Sequence, residues 1–530
     1  MKRSSLSLLL LTVAGQAAAS SAAGGDTIAH TFFSVRPHFQ TASPERVMFF
    51  RNDKVDEREN KWGGAFQAVV YGGKSINSCR LAEFFMPFGK TALNVYEFDQ
   101  TLTDPTGGDL NPAKDIEARN FNIQTVNSTF HSVIEFSPEQ EYIGIGFDYM
   151  QVLWRRCDHA QLWLEASFPI ERIRNRMGLT ERVIDNGGGA VAAAGLDGAP
   201  RVGNMIEAFN QSNWKYGKIA AGTCMTEWGV ADVEVKLHWS GHYGESCRLD
   251  SFLGFVAPTG SKINACHAGY VFSPVVGNNH HWGFLFGGEI QFNLWECGKH
   301  SISSAYDLCG RIFLKNHQIR SFDLEDKQWG RYLEVYTQPQ AITASTFPTN
   351  PNSGTSGINV FTRKVTVDPR YAADSNTAFI YRYCGLMVEV GYNLYVREAE
   401  RICPAEPWVT TDVAASSIAT SVDDNPLAIK SVLGRGSLQQ ARTIGKNFDG
   451  ADEPYTTANF EDMQLRQQNA DLNSASHPAT ISNTIYGGVG YEWNVCDVPM
   501  FFGLGGSYEF SRVNTTLERW MAFGKFGVSF

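Results

Sequence analysis

The sequence predicts an all-β chain: a closed antiparallel transmembrane β-barrel of about 14 strands (12–16), with long loops at one end. Three observations predict it. From residue 61 to the C-terminus, apolar residues recur at every second position over runs of strand length. The opposite faces of those runs are rich in glycine and carry charges. After the leader, no segment has the ~18 consecutive apolar residues that a membrane-spanning helix needs.

Composition agrees. Of 530 residues, 19% are charged and 12% aromatic, with 50 Gly, 35 Phe and 12 Trp. So much apolar and aromatic material argues against disorder. A net charge of -10 argues against general nucleic-acid binding, which needs a basic footprint. At the N-terminus, Lys2 and Arg3 precede a short apolar run over 6–13 and then Ala17, Ala18 and Ala19. This is the pattern of a secretory signal peptide, residues 1–19, with cleavage after Ala23 as the alternative.

The strands follow from period two. Residues 281–295 set Trp282, Phe284, Phe286, Ile290 and Phe292 against Gly283, Gly287, Glu289 and Gln291. Residues 230–239 set Val233, Val235, Leu237 and Trp239 against Asp232, Glu234, Lys236 and His238. Runs at 141–154 and 386–396 repeat the pattern. An apolar face against lipid and a wet inner face account for it. Unpaired backbone in lipid costs several kcal/mol per group, so such a sheet must close on itself.

The last strand is the sharpest signal. Trp520, Ala522, Gly524, Phe526, Val528 and Phe530 alternate with Arg519, Met521, Phe523, Lys525, Gly527 and Ser529, and the chain ends on Phe530. This resembles the terminal strand of bacterial outer-membrane barrels, whose final aromatic residue is recognised by the insertion machinery. The resemblance implies an insertion signal at Trp520, Phe526, Val528 and Phe530. It also implies the outer membrane of a Gram-negative-type bacterium, with membrane lipid and the barrel-assembly machinery as partners.

Strands are expected at 60–72, 80–90, 127–137, 141–154, 160–171, 228–240, 247–258, 281–295, 303–316, 384–397, 483–494, 499–512 and 517–530. Single-chain bacterial barrels have even strand numbers, so 358–368 is added. The barrel then spans 60–530. The long segments 172–227, 259–280 and 398–482 become extracellular, and the links after Trp154, Trp239, Trp295 and Trp493 become periplasmic. Those four tryptophans form an aromatic girdle at one interface. Residues 20–59 have no strong period and either hang in the periplasm or plug the lumen.

The ten cysteines contain no Cys-x-x-Cys pair, which excludes zinc ribbons and thioredoxin-type motifs. Cys157, Cys247, Cys297 and Cys496 fall in the short turns, and one or two disulfides are expected among them, for instance Cys247 with Cys297. In cysteine number alone the chain resembles cysteine-rich major outer-membrane proteins, which combine porin and structural roles.

Charges on the lipid side would cost roughly 2–4 kcal/mol each near the midplane, so the charged faces must line the lumen. The lumen-lining candidates are Glu135, Asp148, Glu165, Asp232, Glu234, Lys236, Asp250, Glu289, Asp307, Arg311, Glu389, Glu492, Glu509, Arg519 and Lys525, with Arg248 and Lys315. An acid excess points to a porin-like channel for passive or semi-selective passage of small solutes, favouring cations. The alternatives are a salt-bridged structural or adhesive envelope barrel, and a transporter of hydrophobic compounds. No Gly-x-Ser-x-Gly elbow occurs, and the pairs His238/His242 and His280/His281 do not form a convergent ligand set. No enzyme activity, metal or cofactor is expected. Homo-oligomerisation is left open.

Overall fold

The structure is a computed structural model that describes residues 28–39, 63–97, 116–156, 160–243, 247–262, 269–325, 327–337, 354–406, 427–429, 470–496 and 498–530. The expected signal peptide, Cys157, and most of 398–482 lie outside the described residues.

Thirteen strands form the main sheet, and twelve of them close into an antiparallel barrel. In chain order they are β1 (Gly64–Ser75), β2 (Glu139–Arg156), β3 (Ala160–Arg176), β4 (Val233–Tyr243), β5 (Cys247–Ala257), β6 (Gly283–Cys297), β7 (His300–Phe313), β8 (Tyr371–Tyr383), β9 (Leu386–Arg397), β10 (Thr480–Val495), β11 (Val498–Phe510) and β12 (Arg519–Ser529). Each pairs with its chain neighbours, and β12 returns to β1, so no barrel edge is left open. At the seam the two backbone hydrogen bonds between Gly64 and Phe530, both 2.8 Å, seat the last residue of the chain. Removing Phe530 therefore deletes the final rung of the closure as well as the aromatic ring expected to serve as the insertion signal. Its deletion is expected to shift the protein from the outer-membrane fraction to periplasmic aggregates, read by fractionation.

The outer wall is apolar. Phe66, Val70, Leu237, Phe379, Val390 and Phe526 are exposed on it, while their chain neighbours turn inward and are buried. A closed sheet with an apolar exterior and a polar interior is the architecture of a membrane-spanning barrel.

The barrel has twelve strands, at the low end of the expected 12–16 and two short of 14. Residues 80–90 hold a helix, α1 (Ser78–Phe85), followed by a short 3-10 turn. Its buried Leu81, Ala82, Phe84 and Phe85 follow helical spacing, not alternation. Residues 131–135 and 362–368 are strands, but of small side sheets. The strand missed is β8, whose outward face carries the small Ala373, Ser375 and Thr377 among its aromatics. The errors cancel in pairs, so each end of the barrel keeps its connections. The short turns and both ends of the barrel sheet share one rim, and the long connections share the other.

Trp154, Trp239, Trp295 and Trp493 all stand near the short-turn rim, with Trp154 and Trp239 stacked at 5.9 Å between ring centroids. Strict alternation would turn Trp154 and Trp295 inward. Register shifts between Val152 and Trp154 and between Asn293 and Trp295 add one residue each and return both rings to the outside.

At the other rim, the long connections build a cap with its own apolar core, including Phe84, Phe121, Trp214, Phe272, Trp329 and Tyr332. Two residues of the N-terminal segment, Ala29 and Phe33, belong to that core.

None of the described cysteines is in a disulfide, and the Cys247–Cys297 pairing is overturned by stagger. Cys247 sits opposite Phe292 on β6. Cys297 is five residues further along, roughly 17 Å at ~3.4 Å per residue, far beyond the ~7 Å that a disulfide tolerates.

Candidate functional site

The site is the barrel lumen. Inward carboxylates Asp148, Glu165, Glu171, Glu234, Asp250, Glu289, Asp307, Asp374, Glu389 and Glu509 are all buried. They share the interior with buried Lys236, Arg248, Arg311, Arg397, Arg519 and Lys525. Strand alternation places them there, because the same residues on the outer wall would face lipid.

These charges are knitted together. Lys236 Nζ lies 3.1 Å from Glu165 and 3.2 Å from Glu234. Arg311 joins Glu234, at 3.5 Å, to Asp374 on β8. Arg519 Nε donates to Glu509 at 2.7 Å across the β11–β12 pair. His238 bridges Asp250 at 2.8 Å and Glu165 at 3.0 Å, and stacks on Trp163 with ring centroids 3.7 Å apart. Gln67 donates to Asp148 at 2.5 Å. A buried charge without a partner is expensive, so an interior this rich in carboxylates holds its shape only as a network.

The N-terminal segment enters this network from the capped end. Arg397 donates to Ser34 Oγ at 2.5 Å. Arg36 donates to Asn393 at 2.8 Å and rests 4.4 Å from the Tyr395 ring centre. Arg519 reaches the Arg36 carbonyl at 3.2 Å. His38 bonds Gln140 at 2.8 Å and lies over Tyr142. Phe39 is buried beside Tyr71 and Gly146. A Cβ at Gly146 would overlap the Phe39 ring, so the glycine is what lets the segment approach the wall. Residues 34–39 thus occupy the half of the lumen nearest the cap. Residues 28–33 lie in the cap, and 20–27 and 40–59 of the expected segment lie outside the described residues.

Not every expected lumen residue is in the lumen. Glu135 is exposed on the side strand His131–Glu135, outside the barrel. The run 127–137 alternates but pairs only with small cap strands. Lys315 is exposed after β7, near Asp368 at 3.6 Å. Asp232 precedes β4, and its carboxylate accepts from the backbone N–H groups of Gly260 (3.1 Å) and Asn278 (2.7 Å), clamping the β5–β6 connection. Glu492 is half-buried near the short-turn mouth. Asp374 was missed with its strand. Arg36 and His38 are not legible because their segment has no period, whereas His238 lies on the inner face that alternation gives it.

The anchorage in the cap depends on pH. His30 stacks on Phe84 at 4.8 Å, and burial pushes its imidazole down to about 4. Docked His30 is therefore neutral, whereas a released His30 regains an ordinary value near 6.5. Above pH ~6.5 both forms are neutral and docking is unpenalised. As pH falls from there toward 4, the released form alone takes up the proton, and docking weakens. Faster proteolysis of the segment at pH 4.5 than at pH 7 is expected, and His30→Gln should flatten the difference.

No protein-family model matches the chain, and no curated protein matches it. Solved structures do. An outer-membrane channel from Pseudomonas putida F1 is 9% identical, with a TM-score of 0.37, over 88% of this chain and 96% of that one. A Pseudomonas aeruginosa FadL homologue is 7% identical, with a TM-score of 0.28, over 95% and 96%. The Ralstonia pickettii toluene transporter TbuX is 6% identical, with a TM-score of 0.27, over 95% and 96%. At these values the likeness carries no argument about function. The closed sheet, its apolar wall and its polar interior define the class: this chain is a transmembrane β-barrel.

Proposed function

We propose that the protein is an outer-membrane transport barrel for small solutes, closed in this state by its own N-terminal segment and favouring cations when open. The observation that carries the reading is the seating of Ser34, Arg36, His38 and Phe39 among polar lumen side chains. A purely structural barrel has no need of a separate segment held there mainly by hydrogen bonds. Inward carboxylates outnumber inward bases, and Arg36 of the segment offsets part of the excess. Displacing the segment leaves a more acidic lumen. The test is the reversal potential across a KCl gradient for a barrel lacking residues 28–39. A cation preference that weakens with ionic strength is expected; anion preference would overturn the reading.

The reading is non-enzymatic. Ser240, His238 and Asp250 lie together, but Ser240 Oγ donates to Asp250 at 2.5 Å and accepts from Trp163 at 2.7 Å. A nucleophile activated by histidine requires the serine to face the imidazole instead. A second reading, transport of hydrophobic compounds, has one observation in its favour: a cleft in the cap that Phe32, Phe33, Val271, Phe272, Ile319 and Ile358 help to line. Uptake of a nonpolar dye by vesicles carrying the intact barrel, without ion conductance, would favour it.

A further inference from the structure

Charge also collects at one place on the outer wall. β2 and β3 are the longest strands and run past the apolar belt at the capped end. Their outward positions there are Glu139 and Glu141, facing Arg176 and Arg174, with Arg172 further along β3 and Lys74 alongside on β1. Part of this charge is matched. Lys74 lies 3.2 Å from Glu139 and 3.5 Å from Glu141, Arg176 lies 2.7 Å from Glu139, and Arg174 lies 3.5 Å from Glu141.

Arg172 is left over. Its partners on the two neighbouring strands are Ile143 and Trp228, and its buried Nε has no hydrogen-bond acceptor among the described residues. Its guanidinium sits 5.6 Å from the ring centre of Trp228, which is 64% exposed on the flanking strand Met225–Val230. Phe168 and Ile170, exposed in the apolar belt, lie just below on the same face. Ile170 is two residues away, about 7 Å along the strand.

We propose that Arg172, Arg174 and Lys74, with Trp228 beside them, bind the phosphate of a phosphorylated glycolipid headgroup in the outer leaflet. This rests on the reading that the capped end faces outward. The Arg172 guanidinium, with no ion pair among the described residues, offers phosphate a charge-assisted contact at the edge of the belt through its terminal nitrogens. An exposed indole at that height covers the adjoining sugar or upper acyl chain, as interfacial tryptophans do. Basic patches that touch the hydrocarbon boundary select lipid phosphates over free ones, because the acyl chains stay in the membrane.

The test is native mass spectrometry of the full chain released from bilayers that contain a diphosphorylated glycolipid or its dephosphorylated form. The wild type should retain the phosphorylated lipid selectively. Arg172→Gln should lower retention about tenfold, the worth of one charge-assisted hydrogen bond. Trp228→Ala should lower it as well, while Lys299→Gln, in the short turn at the other rim, should leave it unchanged. Equal retention of both lipids, unchanged retention by Arg172→Gln, or displacement of the lipid by equimolar inorganic phosphate would overturn the proposal. Conductance is read separately on the same samples, so the transport reading stands or falls independently.

Discussion

Removing residues 28–39 should turn a quiet barrel into a conducting one. In planar bilayers the intact protein is expected to show small or rare openings, and the shortened protein steady, larger ones. A seating preference of only ~1.4 kcal/mol already keeps the segment in place about nine-tenths of the time, so its removal should raise mean conductance roughly tenfold or more. The hydrogen bonds that Ser34, Arg36 and His38 make with the lumen wall, and the buried Phe39 ring, are lost with it. Gly146→Leu reaches the same end with the segment still attached, because the new side chain fills the space of the Phe39 ring. A shortened barrel that conducts no more than the intact one would mean that the strand side chains alone block the lumen.

Arg519→Met should lower barrel stability most among single lumen substitutions. Arg519 is 1% exposed and is bound to Glu509 and to the Arg36 carbonyl. Without it, Glu509 keeps the 2.7 Å bond from Ser482 but loses its ion-pair partner in a buried setting. Breaking a buried pair from one side costs about 3–5 kcal/mol, whereas replacing both partners by apolar or neutral groups is often close to neutral. The midpoint of heat-induced unfolding, followed by the gel-mobility shift of folded barrels, should fall clearly in Arg519→Met and recover most of the loss in Arg519→Met/Glu509→Gln. Equal midpoints for the wild type and the single variant would show that the network tolerates open charges.

The barrel was legible wherever large apolar side chains mark one face of a strand. In β4, β6 and β12 alternation alone identifies the wall and the inward charges Glu234, Lys236, Glu289, Arg519 and Lys525. Where the outward face uses small residues, as at Ala373, Ser375 and Thr377, the signal drops out, and Asp374 was lost with it. Where an alternating run belongs to the cap, as at His131–Glu135, the pattern is real but the partner is not the barrel. Sequence periodicity reports that one face is buried, not what buries it. The lumen segment was readable only as a choice between two locations, because an irregular chain held by side-chain hydrogen bonds has no period to detect. The Cys247–Cys297 pairing failed for a related reason: turn position along the chain says nothing of the stagger that separates the two residues.

The central claim is that the N-terminal segment itself, and not a general collapse of the barrel, closes the lumen. The most direct test is to return it as a separate molecule. A synthetic peptide of residues 28–39 is added to bilayers holding the barrel that lacks them. Concentration-dependent closure is expected, weaker for a peptide with Arg36→Ala and absent for a scrambled sequence. Block by the scrambled peptide equal to that by the native one, or no block at all, would contradict the account.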